Sequence, residues 1–441
     1  MRRILWYDPE FGEPSTPVAW PAASVILATV FLNVIFVEAL GGRFWPFTPL
    51  TLYGAAVILI PLALTLLFFV GPALATRAAK RPIFGLMEDA LGTIPALGVR
   101  ACCVVFLSFW TGSLLGGPLV YLTWHWTGRG ESLAAYFLAV LVIAFVYITV
   151  HQGHGTRARL ALFTCKLFFA IAIAALLRVQ DGWQPKDWHL DTVDWRQVRF
   201  GFSEVFQYAA PLALLAANFG SRSSSRKDIW LAGLSGMALP LTIAITISGW
   251  IAMITHASSL YLPSLAPTIF MALLSDVASS AAPARMIVAM VTVFGAMRFG
   301  ARWATTAAGI SDAPTPRGWV IAACLVATTT WCSFRAWDEM PASVLDWSGR
   351  CLGITGGVIT AGFLAGRRAL PEQRRIDWVG CGSLIAGLCT PLYVKHGPLM
   401  YAPDPWWCPW LLPSYVVAFS VCVCGRLLEK ALALHLPFRH N

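Results

Sequence analysis

The stretch TLYGAAVILIPLALTLLFFVGPALA, residues 51–75, decides the class of this protein. It contains no charged side chain, and a helix needs only about 20 mostly apolar residues to cross the hydrocarbon core of a bilayer. The whole chain of 441 residues shares this character, since 57% of its residues are hydrophobic, 12% are charged and its mean hydropathy is +0.66. A soluble domain carries roughly 25% charged residues. The composition therefore predicts an all-α polytopic membrane protein.

About twelve such spans can be placed along the chain. They lie near residues 19–40, 51–75, 93–124, 133–151, 158–177, 202–219, 229–254, 284–309, 318–335, 342–365, 377–394 and 409–432. The third and tenth are long, which predicts a tilt or a break, and the amphipathic segment 265–281 is interpreted as a surface helix. No phosphate-binding GxxxxGK[ST] loop occurs, so uphill transport would draw on an ion gradient or on exchange.

The loops between these spans alternate in basic content. If the N-terminus is cytoplasmic, about eighteen Lys and Arg residues fall in cytoplasmic segments and about eight in outer loops. One missed span would invert every later loop, so the alternation supports the span number and the orientation together. We expect an inner (plasma) membrane protein with cytoplasmic segments 1–18 and 433–441. The basic residues behind the net charge of +10 lie in these short loops, so the charge does not indicate a nucleic-acid partner.

The eighth span, MIVAMVTVFGAMRFGARWATTAAG (286–309), carries two arginines. Arg298 lies near its midpoint, and Arg302 lies one turn further along the same face. A central Arg costs roughly 2.5–3.5 kcal/mol on insertion scales, so both must face protein or water. Two interpretations remain open. Backbone carbonyls alone could satisfy the guanidinium groups, or the arginines could line a substrate site or pathway.

Other spans carry weaker signals. Lys166 lies about nine residues into the fifth span, where a buried Lys can exchange a proton near neutral pH, although a snorkelling Lys is the alternative. In the sixth span, Pro211 and the Asn-Phe-Gly at 218–220 are signals of an interrupted helix. Trp110 in the third span offers a flat face for a ring. Asn33 is a polar residue of the first span, where a helix–helix hydrogen bond is the alternative.

Three stretches resemble the nucleobase–cation–symport family of purine, cytosine, allantoin and hydantoin permeases. They are RPIFGLMEDALGTIPALGVRACCVVFLSFWTG at 81–112, LLAANFGSRSSSRKDIWLAGLSGMALP at 214–240 and LGITGGVITAGFLAGRRALP at 352–371. The resemblance implies a divergent member of the wider amino acid–polyamine–organocation superfamily. It implies a ten-helix transport core at 19–365, built of inverted repeats near 19–177 and 202–365, and two additional helices within 377–432.

The resemblance also implies where a substrate would bind. The family's ring-stacking Trp is matched by Trp110, whereas its third-helix Gln falls at Leu114 and its sixth-helix aromatic at Ala210, next to Pro211. The substrate-contacting Asn of the eighth helix falls at Arg302, whose guanidinium suits a carboxylate. The implied partners are a small-molecule substrate and the lipid bilayer, and we expect a monomer or weak homo-oligomer. Asn33 is kept as a further candidate from the first span.

The positions implied for sodium have changed. The family's sodium-binding Ser/Thr pair falls at Ala296 and Met297, which supply no oxygen ligand, and the Asn that follows falls at Arg298. In sodium-independent relatives within the superfamily, a basic side chain on the fifth helix occupies the sodium position, and Lys166 resembles it. The resemblance therefore implies no cofactor and no metal, and sodium-independent transport by proton coupling, facilitation or exchange.

The predicted function is that of a secondary transporter, not an enzyme. The solute would be nucleobase-, hydantoin- or allantoin-like, or a small carboxylated compound. One alternative is a non-transporting sensor or scaffold that has kept the fold, since so many ligand positions are replaced. An intramembrane enzyme is the third reading, but His151 and His154 form an HxxH at a loop edge without a nearby carboxylate, which is a weak signal for a metal.

Overall fold

The computed structural model describes residues 19–31, 50–107, 206, 209–246, 339–366, 375–396 and 411–435. Within these ranges the backbone is helical apart from short connections. In chain order the helices are α1 (Trp20–Phe31), α2 (50–79), α3 (Ile83–Leu91), α4 (Thr93–Leu107), α5 (209–216), α6 (Arg226–Thr246), α7 (Glu339–Leu364), α8 (Trp378–His396) and α9 (Leu411–His435).

Eight of the described helices lie where predicted spans were placed; α3 (Ile83–Leu91) falls between the predicted spans 51–75 and 93–124. By length and composition, three of them could cross a membrane: Val57–Ala79, Arg226–Thr246 and Leu411–Leu432. Thr93–Leu107 and Trp378–Thr390 are shorter apolar helices. The predicted fourth, fifth, eighth and ninth spans and segment 265–281 fall outside the residues that the structure describes. The total of twelve and the inverted repeat therefore stay predictions.

Local sequence explains where several helices begin and end. Helix α6 starts with a capping box, in which the Asp228 backbone N–H donates to Ser225 Oγ at 3.0 Å and the Ser225 backbone N–H donates to the Asp228 carboxylate at 3.0 Å. Helix α2 ends at Lys80, whose φ of 52° places it in the left-handed region that stops a helix. Gly92, with a φ of 89°, separates α3 from α4.

Helix α7 packs against its neighbours through glycines. A Cβ built on Gly356 would lie 3.3 Å from Leu214 of α5, and one built on Gly353 would lie 2.8 Å from Leu411 of α9. Between helices surrounded by lipid, the hydrophobic effect does not drive association, so close packing matters more. Small residues allow that packing because they let the helix backbones approach closely. Helix α7 is therefore the element that joins α5 to the C-terminal helices.

A buried ion pair ties α9 to the start of α8. The Arg426 guanidinium donates to Asp377 Oδ1 at 2.6 Å, and the two side chains are only 5% and 1% exposed. Arg426 also donates to Glu429 at 2.8 Å. The Asp377 backbone N–H donates to the Leu91 carbonyl at 2.9 Å, so the same residue contacts the end of α3.

Candidate functional site

Ala210 and Pro211 are the predicted site residues that the structure describes. Both lie on α5 and both are buried, with Ala210 at 0% exposure. The other predicted site residues fall outside the described ranges. They are Asn33, Trp110, Leu114, Lys166, Ala296, Met297, Arg298 and Arg302.

Helix α5 changes its hydrogen-bonding pattern at its end. Pro211 lies inside the helical run 209–216, and the backbone switches to a 3-10 helix over Ala217–Arg222. The switch coincides with the Asn-Phe-Gly at 218–220 that the sequence also singled out. The side chains along 209–217, the apolar wall of α5, are all buried and offer no side-chain hydrogen bond.

Aromatic rings from three parts of the chain pack together next to α5. The ring of Phe206, just before α5, meets Phe68 of α2 edge to face, with centroids 6.3 Å apart. Phe68 in turn packs against Tyr415 of α9 at 4.9 Å. Edge-to-face pairs of this kind stabilise a fixed ring geometry. The rings of Phe206, Phe68 and Tyr415 therefore form one packed aromatic cluster.

The 3-10 segment after α5 is pressed against α2 at Gly220. A Cβ built on Gly220 would lie 2.0 Å from the Ala73 carbonyl oxygen and 2.3 Å from Thr76 Oγ1. The Thr76 hydroxyl donates to the Ala217 carbonyl at 3.0 Å. Asn218 Oδ1 accepts from the backbone N–H of Ile83 at 3.1 Å. The 3-10 segment after α5 therefore contacts both the end of α2 and the start of α3.

Helix α2 contains a π-helical turn at Thr65–Val70. Two side-chain hydroxyls donate to backbone carbonyls in and just before this turn. Thr65 Oγ1 donates to the Pro61 carbonyl at 2.7 Å, and Tyr415 Oη donates to the Leu67 carbonyl at 3.0 Å. Turns of this type occur frequently at functional sites. Here the turn directs Phe68 and Phe69, both 0% exposed, into the core.

Helix α6 contains a second π-helical turn, at Leu234–Ala238. Ser235 Oγ donates to the Leu231 carbonyl at 2.6 Å and lies 2.6 Å from Ser24 Oγ of α1. A Cβ on Gly236 would lie 2.7 Å from the Ser24 Cα, so α1 and α6 are in backbone contact. Helix α6 also contacts α2, because a Cβ built on Gly233 would lie 3.0 Å from Thr65. The two π-helical turns therefore lie in helices that pack on each other.

Sequence reasoning missed these hydroxyl contacts. The signal was present as single Ser and Thr residues in otherwise apolar spans, such as Ser24, Thr65 and Ser235. Their partners are carbonyls four residues earlier in the same helix and, for Ser24 and Ser235, each other's hydroxyls, a pairing which periodicity does not reveal. Among the described residues, no group of three His, Cys, Asp or Glu side chains could hold a metal ion. The described part of the site is therefore a supporting scaffold of apolar and hydroxyl side chains.

This arrangement of helices is found in a known transporter. The structure is similar to Mhp1 in its inward-facing conformation, with a TM-score of 0.69 and 12% sequence identity, over 97% of this chain and 95% of that one. The chain has the fold of Mhp1. Mhp1 in a closed conformation, described as a nucleobase-cation-symport-1 family transporter with bromovinylhydantoin bound, gives a TM-score of 0.64 and 12% identity over 98% of both chains.

The Mhp1 fold is shared more distantly with a Na⁺-coupled sialic acid symporter. That comparison gives a TM-score of 0.55 and 14% identity over 97% of this chain and 93% of the other. The sequence matches no family model and no curated protein. The resemblance noted in the three sequence stretches is therefore confirmed at the level of the fold, and the chain is a multi-pass membrane protein with a transporter fold.

Proposed function

We propose that this chain is a secondary transporter, a permease for a small polar solute. The observation that carries the proposal is the Mhp1 fold over 97% of the chain. In the proposed architecture, twelve spans contain two inverted five-helix repeats and two additional C-terminal helices, with both termini in the cytoplasm. The proposed solute site lies between the first, third, sixth and eighth spans.

The proposed solute is nucleobase-, hydantoin- or allantoin-like, or a small carboxylated compound. Trp110 would stack on a ring, and the apolar wall at Ala210 and Pro211 would pack against the ring's other face. Arg302 would bind a carboxylate or another anionic acceptor through two parallel N–H donors. Asn33 and Leu114 complete the proposed lining.

We propose that transport does not depend on sodium. Sodium prefers oxygen ligands, and the two implied ligand positions carry the side chains of Ala296 and Met297. The positive charges of Arg298 and Lys166 would also repel a bound cation. Proton coupling through Lys166, facilitated diffusion and exchange are the coupling modes that remain.

Uptake by the purified protein in proteoliposomes tests this function. A thermal-shift screen of nucleobases, hydantoins, amino acids and small organic acids first identifies a solute that stabilises the protein. We expect that solute to enter the vesicles at the same initial rate when choline replaces external sodium. Uptake that collapses without sodium would contradict sodium independence, while vesicles that bind the solute but never take it up, with or without preloaded solute, would contradict transport.

Arg302→Ala tests the proposed anion contact. Hydrogen bonds to a charged group contribute about 1.5–3 kcal/mol, so we expect the affinity for a carboxylated solute to fall about 10- to 100-fold. Arg302→Lys is the matched variant, since it keeps the charge and loses the two-pronged geometry. Its affinity should lie between those of the parent and the Ala variant. Unchanged affinity for every bound solute in Arg302→Ala would remove Arg302 from the site.

A non-transporting sensor or scaffold is the second candidate function. The replacement of the family's polar and aromatic ligand positions by Leu114 and Ala210 favours it, since a ligand would meet only apolar side chains there. This candidate predicts solute binding, or no binding, without uptake under any gradient. Proteoliposome uptake driven by a proton gradient or by preloaded solute separates it from the transporter.

A further inference from the structure

Two basic segments far apart in sequence meet at one end of the helix bundle. The end of α2 and the start of α6 are joined there, since Arg77 Nη2 donates to the Ser224 carbonyl at 3.1 Å. We call this surface the basic end; it consists of Arg77, Lys80, Arg81, Arg222, Arg226 and Lys227. Lys80, Arg226 and Lys227 are exposed.

The carboxylates close to the basic end are already engaged. Asp89 accepts two bonds from Arg81, at 2.8 and 3.0 Å. Asp228 accepts from the hydroxyls of Ser224 and Ser225 and caps α6. Within the described ranges, the basic end therefore keeps a surplus of positive charge, located on its exposed side chains.

Two tryptophans border the basic end. Trp230 lies four residues after Arg226 on the same face of α6, and it is 42% exposed. Trp20 opens α1, is 37% exposed, and its backbone N–H donates to Asp228. Partly exposed indoles of membrane proteins concentrate at the boundary between hydrocarbon and headgroups. Four residues of α-helix rise about 6 Å, which places Arg226 on the water side of Trp230, at headgroup depth.

We propose that the basic end binds the phosphate group of an acidic phospholipid. Arg226 and Lys227 would contact the phosphate, Lys80 would add positive charge from the end of α2, and the Trp230 indole would pack along the glycerol and upper acyl region. Charge complementarity carries the assignment, because clustered basic side chains at a membrane boundary attract anionic headgroups. The exposed indole favours a lipid over a soluble phosphate, since a soluble anion has no apolar part to pack against it.

Native mass spectrometry of the full-length protein, titrated with phosphatidylglycerol or phosphatidylcholine, tests the proposal. Each basic residue near an anionic surface contributes about fivefold in affinity, so Arg226→Gln should weaken phosphatidylglycerol binding about fivefold and Arg226→Gln with Lys227→Gln about 25-fold. Arg226→Lys should retain binding. Phosphatidylcholine binding should not change in any variant.

Arg350→Gln is the matched control. Arg350 also neighbours a tryptophan, with its guanidinium carbon 5.9 Å from the Trp347 ring centroid, but it lies 14 residues from the Leu364 end of α7, about 21 Å along the helix. Its replacement should leave phosphatidylglycerol binding unchanged. The proposal is overturned if Arg350→Gln weakens binding as much as Arg226→Gln does, or if millimolar inorganic phosphate displaces the lipid completely. Unchanged thermal unfolding of Arg226→Gln would exclude misfolding as the cause of its loss.

Discussion

Replacing Arg426 by Met is expected to lower the free energy of unfolding by about 3–5 kcal/mol. The substitution removes one partner of the buried ion pair and leaves the Asp377 carboxylate, 1% exposed, without its cation. Asp377 also accepts from the Gly380 backbone N–H at 2.9 Å at the start of α8, so a displaced carboxylate would weaken that helix end as well. Reversible denaturation in a non-ionic detergent, followed by circular dichroism, measures the change.

Arg81→Met is the matched control for this prediction. Its guanidinium lies 2.8 Å from Asp89, a similar separation, but the two side chains are 48% and 21% exposed. Exposed ion pairs contribute about 0–1 kcal/mol, because water screens the charges and solvates the carboxylate that remains. A loss in Arg426→Met no larger than the loss in Arg81→Met would show that burial does not strengthen the Arg426–Asp377 contact.

Gly220→Ala is expected to destabilise the protein by about 3 kcal/mol, the upper part of the usual range for overpacking. The added Cβ would lie 2.0 Å from the Ala73 carbonyl oxygen, and a backbone atom cannot rotate away as a flexible side chain could. The 3-10 segment Ala217–Arg222 must then separate from α2, which also weakens the hydrogen bond from Thr76 to Ala217. The same denaturation experiment measures the loss.

Gly362→Ala provides the comparison for Gly220. Gly362 lies inside α7, and a Cβ built there meets nothing within 4 Å. Alanine stabilises a helix interior by about 0.5–1 kcal/mol relative to glycine, so this variant should be as stable as the parent or slightly more stable. Equal losses in the two variants would mean that the effect at Gly220 comes from backbone flexibility and not from the close contact with Ala73.

The positions of the described helices, apart from α3, could be predicted from hydropathy alone. Uncharged runs such as 51–75 leave the backbone no solvent partner in a bilayer, so a helix is the structure that satisfies it. Their hydrogen-bonding irregularities could not be predicted. The turn at Thr65–Val70 is accompanied by a hydroxyl from Tyr415, about 350 residues later in the chain, and no local pattern relates the two.

The ion pair between Arg426 and Asp377 could not be predicted from the sequence either. Arg426 falls near the end of the predicted span 409–432, and Asp377 is the first residue of the predicted span 377–394. Only the packing of α8 on α9 brings the two together and removes both from water. For the candidate site, the resemblance matched Ala210, next to Pro211, to an aromatic position of the sixth helix; both residues are buried in α5, and their role in binding stays a prediction. The roles of Arg298, Arg302 and Lys166, which lie beyond the described residues, stay predictions.

The π-helical turn in α2 fixes the rotational phase between the two halves of that helix. Its first half meets α6, where Thr242 donates to the Val57 carbonyl at 3.1 Å, and its second half meets α7 and the 3-10 segment that follows α5. A π-helical turn accommodates one extra residue, and an α-helix turns about 100° for each residue. Deleting a residue between 65 and 70 would therefore rotate the second half by about a quarter of a circle and point Thr76 away from Ala217.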